Sequence, residues 1–315
     1  MASQAAPGQK TDPEAQNLIP TAQIAAARHI AASHRSPLTV PVIGDREHLS
    51  RSVYQKIANQ LGLKWARPSA IDHDTELVLV WNPWIYGAGA KLRKKIERLS
   101  RRHKNTHFIN ATHFNDDKRV VQKEFEKCFG YDLSVDPIRH EGPLVEKSRK
   151  NGTHNGRVKE GPLVAINPKF VYQRVVDNSI ADALVEDLRV PIINYEPLFS
   201  YLKYRPLSTR FKNRNTYAQL AGLRDVFSEA ELQTIARYTK EIGLEIGELD
   251  ILRDCQSQRI YVVDANNTPH GPPNGIHERD GNIAVSWLSS AFANAYLSGA
   301  QRRPGRSKWP WTLFR

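Results

Sequence analysis

Cysteine is scarce in this chain: Cys128 and Cys255 are the only two among 315 residues. They stand far apart, with no partner motif, so neither a disulfide framework nor a zinc knuckle is implied and both read as ordinary reduced thiols. Long apolar runs are also missing. No uninterrupted stretch approaches the roughly 20 residues that cross a bilayer, and the N-terminus lacks the basic-then-apolar order of a secretory signal. Together these absences point to a soluble protein of the cytoplasm. A mitochondrial-type presequence is disfavoured, since only Lys10, Arg28 and Arg35 supply positive charge ahead of Ser36 and Asp12 and Glu14 oppose it. No Ser-His-Asp or Cys-His arrangement stands out, and neither Gly44 nor Gly87-Ala88-Gly89 makes a dinucleotide fingerprint. Acid is in deficit as well. Against 45 Lys and Arg stand 33 Asp and Glu, which gives a net charge of +12 and calls for an anionic partner: nucleic acid, phosphates or an acidic substrate.

What is present is enough apolar material, 40% of residues, to build two or three lobes. Residues 1–35, rich in Ala, Gln, Ser and Pro, read as weakly ordered, with a frayed helix around Gln23 to Ala32. From Leu38 the pattern alternates: a strand over Leu38–Ile43, a helix over Ser50–Leu61, a strand over Glu76–Trp81, a helix over Ala90–Arg102 and a strand over Thr106–Ile109. Such alternation predicts an α/β lobe, Rossmann-like, with a parallel sheet and crossover helices. Asn82-Pro83-Trp84, after a strand's C-terminal end, is either a ligand-binding edge or a plain turn. The basic run from Lys91 to Lys104 carries no stacking aromatics and reads as a solvated helix face.

Further on, Asn115-Asp116-Asp117-Lys118 opens a helix to Phe129, with Asp116 or Asn115 as N-cap and Gly130 as stop. Lys118 in the first turn opposes the helix dipole unless an anion meets it. An apolar strand delivers Lys147 just before Asn151-Gly152 and Asn155-Gly156, pairs that predict tight turns at positive φ and a mobile loop whose amides can approach phosphate. The stretch from Tyr201 to Asn215 is the densest cationic segment with aromatic content, which makes a nucleic-acid reading legitimate there. Ser228-Glu229-Ala230-Glu231 is a capping box leading a helix that ends at Gly243. A last helix is expected over Ala284–Leu297, followed by a basic, aromatic tail from Arg302 to Arg315.

Two short apolar runs, Glu248–Arg253 and Ile260–Pro269, flank a polar turn and predict an antiparallel hairpin closing around Ser257. Pairing Asp250 with Asp264 places Leu252 opposite Val262 and puts Asn266 on the face of Asp264. Opposed carboxylates repel, which is acceptable where a divalent cation lies between them. Asp, Asp and Asn oxygens suit magnesium shared with phosphate. The alternative is an exposed hairpin whose acids face water.

This hairpin resembles the magnesium-binding hairpin of the ATP-grasp superfamily, and the resemblance extends upstream, nearest in motif to the ribosomal-protein glutamate ligases and D-alanine:D-alanine ligases. It implies metal binding by Asp250, Asp264 and Asn266, with Lys118 and Lys147 on the nucleotide phosphates and the loop at Gly152 and Gly156 as a lid. Phe170–Asp177 resembles the hinge strand, which assigns Gln173, Arg174 and Val176 to the adenine edge, Gln173 standing where the family often has Glu. Glu186-Asp187-Leu188-Arg189-Val190 resembles the strand after the hinge, with Asp187 on the ribose (Glu186 is the second choice) and Arg189 among the nucleotide-binding residues. Lys203, Arg205 and Arg210 are the implied catalytic cations beside the transferred phosphate.

The implied architecture is a pre-ATP-grasp lobe over 36–115, a small ATP-grasp lobe over 116–198 and a large one over 199–300, with a separate tail over 301–315. The implied activity is ligation: ATP and Mg2+ convert a small-molecule or peptide carboxylate to an acylphosphate, which an amine or thiol then attacks. A kinase or dikinase, a nucleotide-binding protein without turnover and a basic nucleic-acid-binding protein are the alternatives. Nucleic acid and membrane are not expected as partners of the ligase reading. The substrate, and whether the chain forms a homodimer, stay open.

Overall fold

The computed structural model describes residues 38–44, 46–81, 89–111, 117–150, 152–153, 155–180, 183–212 and 214–298. The expectations for 1–35, Asn82-Pro83-Trp84 and the tail from Arg302 lie outside the described residues. So do Asn115 and Asp116.

The first lobe is a four-stranded parallel sheet, in the order β2-β1-β3-β4, formed by β1 (Thr39–Gly44), β2 (Lys64–Ala66), β3 (Leu77–Trp81) and β4 (His107–Ile109). All five residues of β3 are buried because both faces of a parallel sheet are covered. Val40, Val42, Leu77, Leu79 and Trp81 pack against Tyr54, Ile57 and Leu61 of α1 (Val53–Leu61). Ile43, Val78 and Val80 pack against Ile96 of α2 (Gly89–Arg102), whose cations Lys91, Arg93, Lys94, Lys95 and Arg98 face solvent. The helix expected from Ser50 starts at Val53, since the Ser52 hydroxyl accepts from Gln55 N at 3.4 Å and caps it there. Strand β2 was not anticipated; at three residues it is too short for a period to show.

A second unit holds α3 (Lys118–Phe129) and an antiparallel sheet in the order β6-β5-β7, from β5 (Gly142–Ser148), β6 (Arg157–Gly161) and β7 (Phe170–Arg174). The cap of α3 is Asp117, not Asp116 or Asn115: its carboxylate accepts from Arg119 N at 3.0 Å. Arg149 holds the same carboxylate from the end of β5, and that second bond selects among three consecutive capping residues. Gly152 has the expected positive φ of 71°, whereas Gly156 is not among the positive-φ glycines. Close approach is what Gly156 provides, since a Cβ there would meet the Phe211 ring at 2.8 Å.

The large sheet is antiparallel, in the order β12-β11-β9-β13-β14. Its strands are β8 (Ser179–Ile180), β9 (Leu184–Ile193), β10 (Glu196–Pro197), β11 (Ser200–Pro206), β12 (Tyr217–Ala221), β13 (Ile246–Arg253) and β14 (Ile260–Asn266), with β8 and β10 paired to β9. Helix α4 (Glu229–Ile242) carries the Ser228–Glu231 capping box and stops at Gly243, φ 69°. Leu188, Val190, Ile192, Leu249, Ile251 and Ala265 line one face of the sheet, packed with Val121 and Phe125 of α3 and Ile235 and Tyr238 of α4. Alternation therefore turns the intervening polar residues to the other face.

The last helix, α5, runs Glu278–Phe292, starting earlier than expected because His277 caps it by accepting from Arg279 N at 3.2 Å. Its polar first turn hides the apolar period there. Ala284, Leu288 and Phe292 join the core of α1 and β1, together with Phe199, Tyr201 and Ile246 of the large sheet. This helix, expected with the large lobe, thus closes the first lobe onto it. Asn110, buried after β4, locks the same junction. Its side chain accepts from Glu245 N and Ile246 N at 3.1 and 2.9 Å and donates to Ile246 O and Tyr54 Oη at 2.8 and 3.2 Å. Among the described residues no helix is long and apolar enough to cross a membrane.

Candidate active site

Four strands of the large sheet set one transverse row of side chains: Tyr201 of β11, Arg189 of β9, Asp250 of β13 and Asp264 of β14 pair in register across the sheet. Asp250 and Asp264 stand opposite each other as the spacing requires. The expected partnering of Leu252 with Val262 does not occur. The register shifts between Asp250 and Ile251, Ile251 faces Val262, and Leu252 faces Tyr261. One extra residue on β14 makes a bulge, whose kink and twist begin right beside the two acids.

Cations meet both carboxylates. Arg189 grips Asp250 through two bonds, Nε to Oδ1 at 2.9 Å and Nη2 to Oδ2 at 3.0 Å. Lys203, paired across from Asp187 on β11, donates to Asp250 Oδ1 at 2.8 Å. Burial alone would raise the Asp250 carboxyl, but Arg189 and Lys203 hold it well below the usual carboxylate range. Burial pushes the Lys203 ammonium down, and the charge of Arg189 adds to this. From the start of α3, Lys118 Nζ reaches Asp264 at 3.1 and 3.2 Å. The first-turn cation thus has the anionic partner that offsets its clash with the helix dipole.

Lys147 comes from β5 and is placed differently. Its Nζ donates to the Val263 carbonyl at 2.9 Å, in the bulge, and among the described residues it forms no ion pair. Burial, then repulsion from Lys118, lowers it to about 8. A cation in such a place is poised for an anionic ligand. Asn266 lies two pairs further along the hairpin, opposite Glu248. Its Oδ1 accepts from Thr268 N and Oγ1 at 3.0 and 2.9 Å.

The other expected residues gather at the junction of β7 with the sheet. Asp187 shares its face with Arg189, two residues on, whereas Glu186 is paired with Tyr204 on the opposite face. The Asp187 carboxylate accepts from Arg205 Nη2 and from Asn178 Nδ2. Arg210 lies at the hinge, donating to the Val176 carbonyl at 2.7 Å and Asn178 Oδ1 at 2.9 Å. Arg205 ties that loop down through the carbonyls of Arg210 and Lys212 at 3.2 and 2.9 Å. Gln173 is buried, with Nε2 on Gln122 Oε1 at 3.0 Å. Arg174 lies over the Tyr261 ring, and its backbone N–H serves Leu133. Gly156 touches Phe211 of the same loop as Arg210, so the glycine loop meets the large sheet here. A Cβ at Gly152 would meet nothing within 4 Å.

Three residues in or beside the row were not singled out from the sequence. Glu248, two residues before Asp250, shares its face by alternation, and that spacing was the signal available. Tyr201 could be recognised only through its pairing with Arg189. Lys56 of α1 reaches the His270 carbonyl at 3.0 Å and that of Gly271, a contact no local pattern announces.

No family model matches the sequence, and no curated protein matches it. Among solved structures, the chain is similar to an ATP-grasp ligase from Chryseobacterium gregarium associated with ribosomal peptides, solved with ADP and a leader and core peptide. The TM-score is 0.51 at 11% identity, covering 86% of this chain and 100% of that one. It is also similar to the ATP-grasp ligase PsnB in complex with a phosphomimetic variant of a minimal precursor, Mg and ADP, with TM-score 0.50 at 12% identity, covering 82% of this chain and 99% of that one. The fold is the α/β fold of the ATP-grasp ligases.

Proposed function

We propose that this chain is an ATP- and magnesium-dependent ligase that activates a substrate carboxylate as an acylphosphate for attack by an amine or thiol. The observation that carries the reading is the row Arg189, Asp250 and Asp264, reached from the second unit by Lys118 and Lys147. A transferred phosphoryl group needs positioning and charge neutralisation more than covalent help. Lys147, Lys118, Lys203 and Arg189 are the groups to hold its oxygens.

The oxygens present fit magnesium. The hairpin offers two carboxylates and one amide, and no group of three or more His, Cys, Asp or Glu suited to a metal occurs among the described residues. Magnesium keeps waters and phosphate oxygens and takes only one or two carboxylates, so a sparse protein share is what it requires. Asp250, Asp264 and Asn266 would hold it, and it would neutralise charge on the nucleotide phosphates. With it bound, Asp250 and Asp264 would serve the cation, and Arg189, Lys203 and Lys118, now paired with them, would be the cations available to phosphate. Gln173, Arg174 and Val176 border the adenine, and Asp187 accepts from the ribose once Arg205 withdraws. The loop with Gly152 and Gly156 closes the phosphate side. The ADP, Mg and peptides bound to the two similar ligases support a nucleotide cofactor and a carboxylate carried on a small molecule or peptide.

The test is thermal unfolding of the wild type and Asp264→Ala with a non-hydrolysable ATP analogue, with and without magnesium. Ligand at about 100 times its dissociation constant adds roughly 2.7 kcal/mol. The expected result is a magnesium-dependent shift in the wild type, much weakened in the variant. Absence of any shift at millimolar nucleotide overturns the proposal.

A further inference from the structure

Beside the row described above lies a second polar cluster that the phosphate chemistry does not use. Glu248 is 3% exposed, and its Oε2 has no hydrogen-bond partner; the nearest cation, Arg189 Nη1, stands off at 3.7 Å. The Tyr201 hydroxyl is buried and likewise has no partner. Burying either group without a hydrogen bond is costly, and more so for a charge. Two such groups side by side mark a place kept for something else.

Both converge on one point of the chain. A Cβ at Gly271 would lie 2.6 Å from Glu248 Oε1 and 3.6 Å from Tyr201 Oη, so any larger residue would have to displace the carboxylate. Lys56 of the first lobe clasps the His270 and Gly271 carbonyls and fixes that segment over the cluster. The position is defined by register. Tyr201 ends the row by pairing with Arg189, and Glu248 pairs with Asn266, two residues along the hairpin from the Asp250–Asp264 pair, so the cluster lies at the β11 side of the row, at the junction with the first lobe.

The unmet demands specify a ligand. A buried carboxylate oxygen accepts only, and a phenol can give or take one hydrogen bond. A primary ammonium brings three donors and the positive charge that a buried carboxylate favours. A thiol has one weak donor, and a thiolate would be repelled.

We propose that Glu248 and Tyr201 form the subsite that receives the acceptor of the ligation, and that this acceptor is a primary amine. The inference rests on the ligase reading and narrows its acceptor from amine or thiol to amine. Glu248 Oε2 takes the charged group and Tyr201 Oη orients it next to the activated carboxylate; the nitrogen gives up a proton to Glu248 before it attacks, and phosphate leaves as the C–N bond forms. Gly271 is kept bare to admit Glu248, and Lys56 holds the segment in place.

The experiment is thermal unfolding of the full chain with AMPPNP and magnesium, titrated with each of the twenty L-amino acids, 1,4-diaminobutane and, as an amine-free thiol, 3-mercaptopropionate. Wild type is compared with Glu248→Gln and Tyr201→Phe, both close in shape to the native side chains. At least one amine should raise the unfolding temperature of the wild-type complex. Glu248→Gln should weaken its apparent affinity by about ten- to a hundred-fold, the loss of one charge-assisted hydrogen bond, and Tyr201→Phe by several-fold. An AMPPNP shift should remain in all three proteins, and the amine effect is read relative to it in each. An amine shift of equal size in Glu248→Gln, no amine shift in the wild type, or a thiol shift that depends on Glu248 overturns the subsite. Loss of the AMPPNP shift in the wild type instead refutes the nucleotide reading, so the two failures are told apart.

Discussion

Replacing Asp250 by Asn tests whether the central carboxylate holds the sheet face together before any nucleotide arrives. In the native protein its two oxygens take three charged hydrogen bonds, Oδ1 from Arg189 Nε and Lys203 Nζ and Oδ2 from Arg189 Nη2. Asn can keep an oxygen toward Arg189 Nε and Lys203, now without charge, but must turn its amide toward Arg189 Nη2, donor against donor. Removing one partner from a buried charge pair costs about 3–5 kcal/mol. Arg189 and Asp250 keep about a quarter of their side-chain area exposed while Lys203 is almost wholly buried, so the low end, about 3 kcal/mol, is expected. The measurement is urea unfolding followed by tryptophan fluorescence, with the midpoint falling while the slope stays unchanged.

The pH course follows from the depressed carboxyl. Its stabilisation is fully present above the unfolded value of about 3.9 and is lost as pH falls toward the folded one. The gap between wild type and variant should therefore hold constant from pH 7 to 5 and narrow only in stronger acid. A gap under about 1 kcal/mol, or one that closes between pH 7 and 5, refutes the reasoning.

Two further outcomes are expected. Burial lowers the His107 imidazole, but the Glu245 contact at 2.5 Å and its charge together outweigh that and leave it above its ordinary value; its stabilisation is present below about pH 6.5 and fades as pH rises through the folded value. An NMR titration should find the His107 midpoint raised in the wild type and returned toward the ordinary value in Glu245→Gln. At Asn110, φ is 59°, so Asn110→Gly loses the four side-chain bonds and Asn110→Ala loses them and adds left-handed strain. Urea unfolding should show both destabilised by about 3 kcal/mol or more, Ala the worse by about 1 kcal/mol.

The sequence by itself determined the local elements and the chemistry on them. Alternation over Glu248–Arg253 and Ile260–Asn266 is enough to place Asp250 opposite Asp264, since period-two geometry leaves few registers that bury Leu249, Ile251 and Ala265 together. The capping box of α4 and the alternating first lobe were legible for the same reason, each being written in neighbouring residues. Only the tertiary structure decided the bulge after Asp250, because no Gly or Pro marks it and it arises from fitting β14 beside β13. It alone chose Asp117 among three adjacent cap formers, through Arg149 from another strand. It also assigned α5 to the core shared by the first lobe and the large sheet. The ion pairs of the row, and the burial of Glu248 beside Tyr201 under Gly271, join residues up to 146 positions apart. Their energies depend on desolvation, which is set by what other segments cover, and no window of sequence contains that quantity.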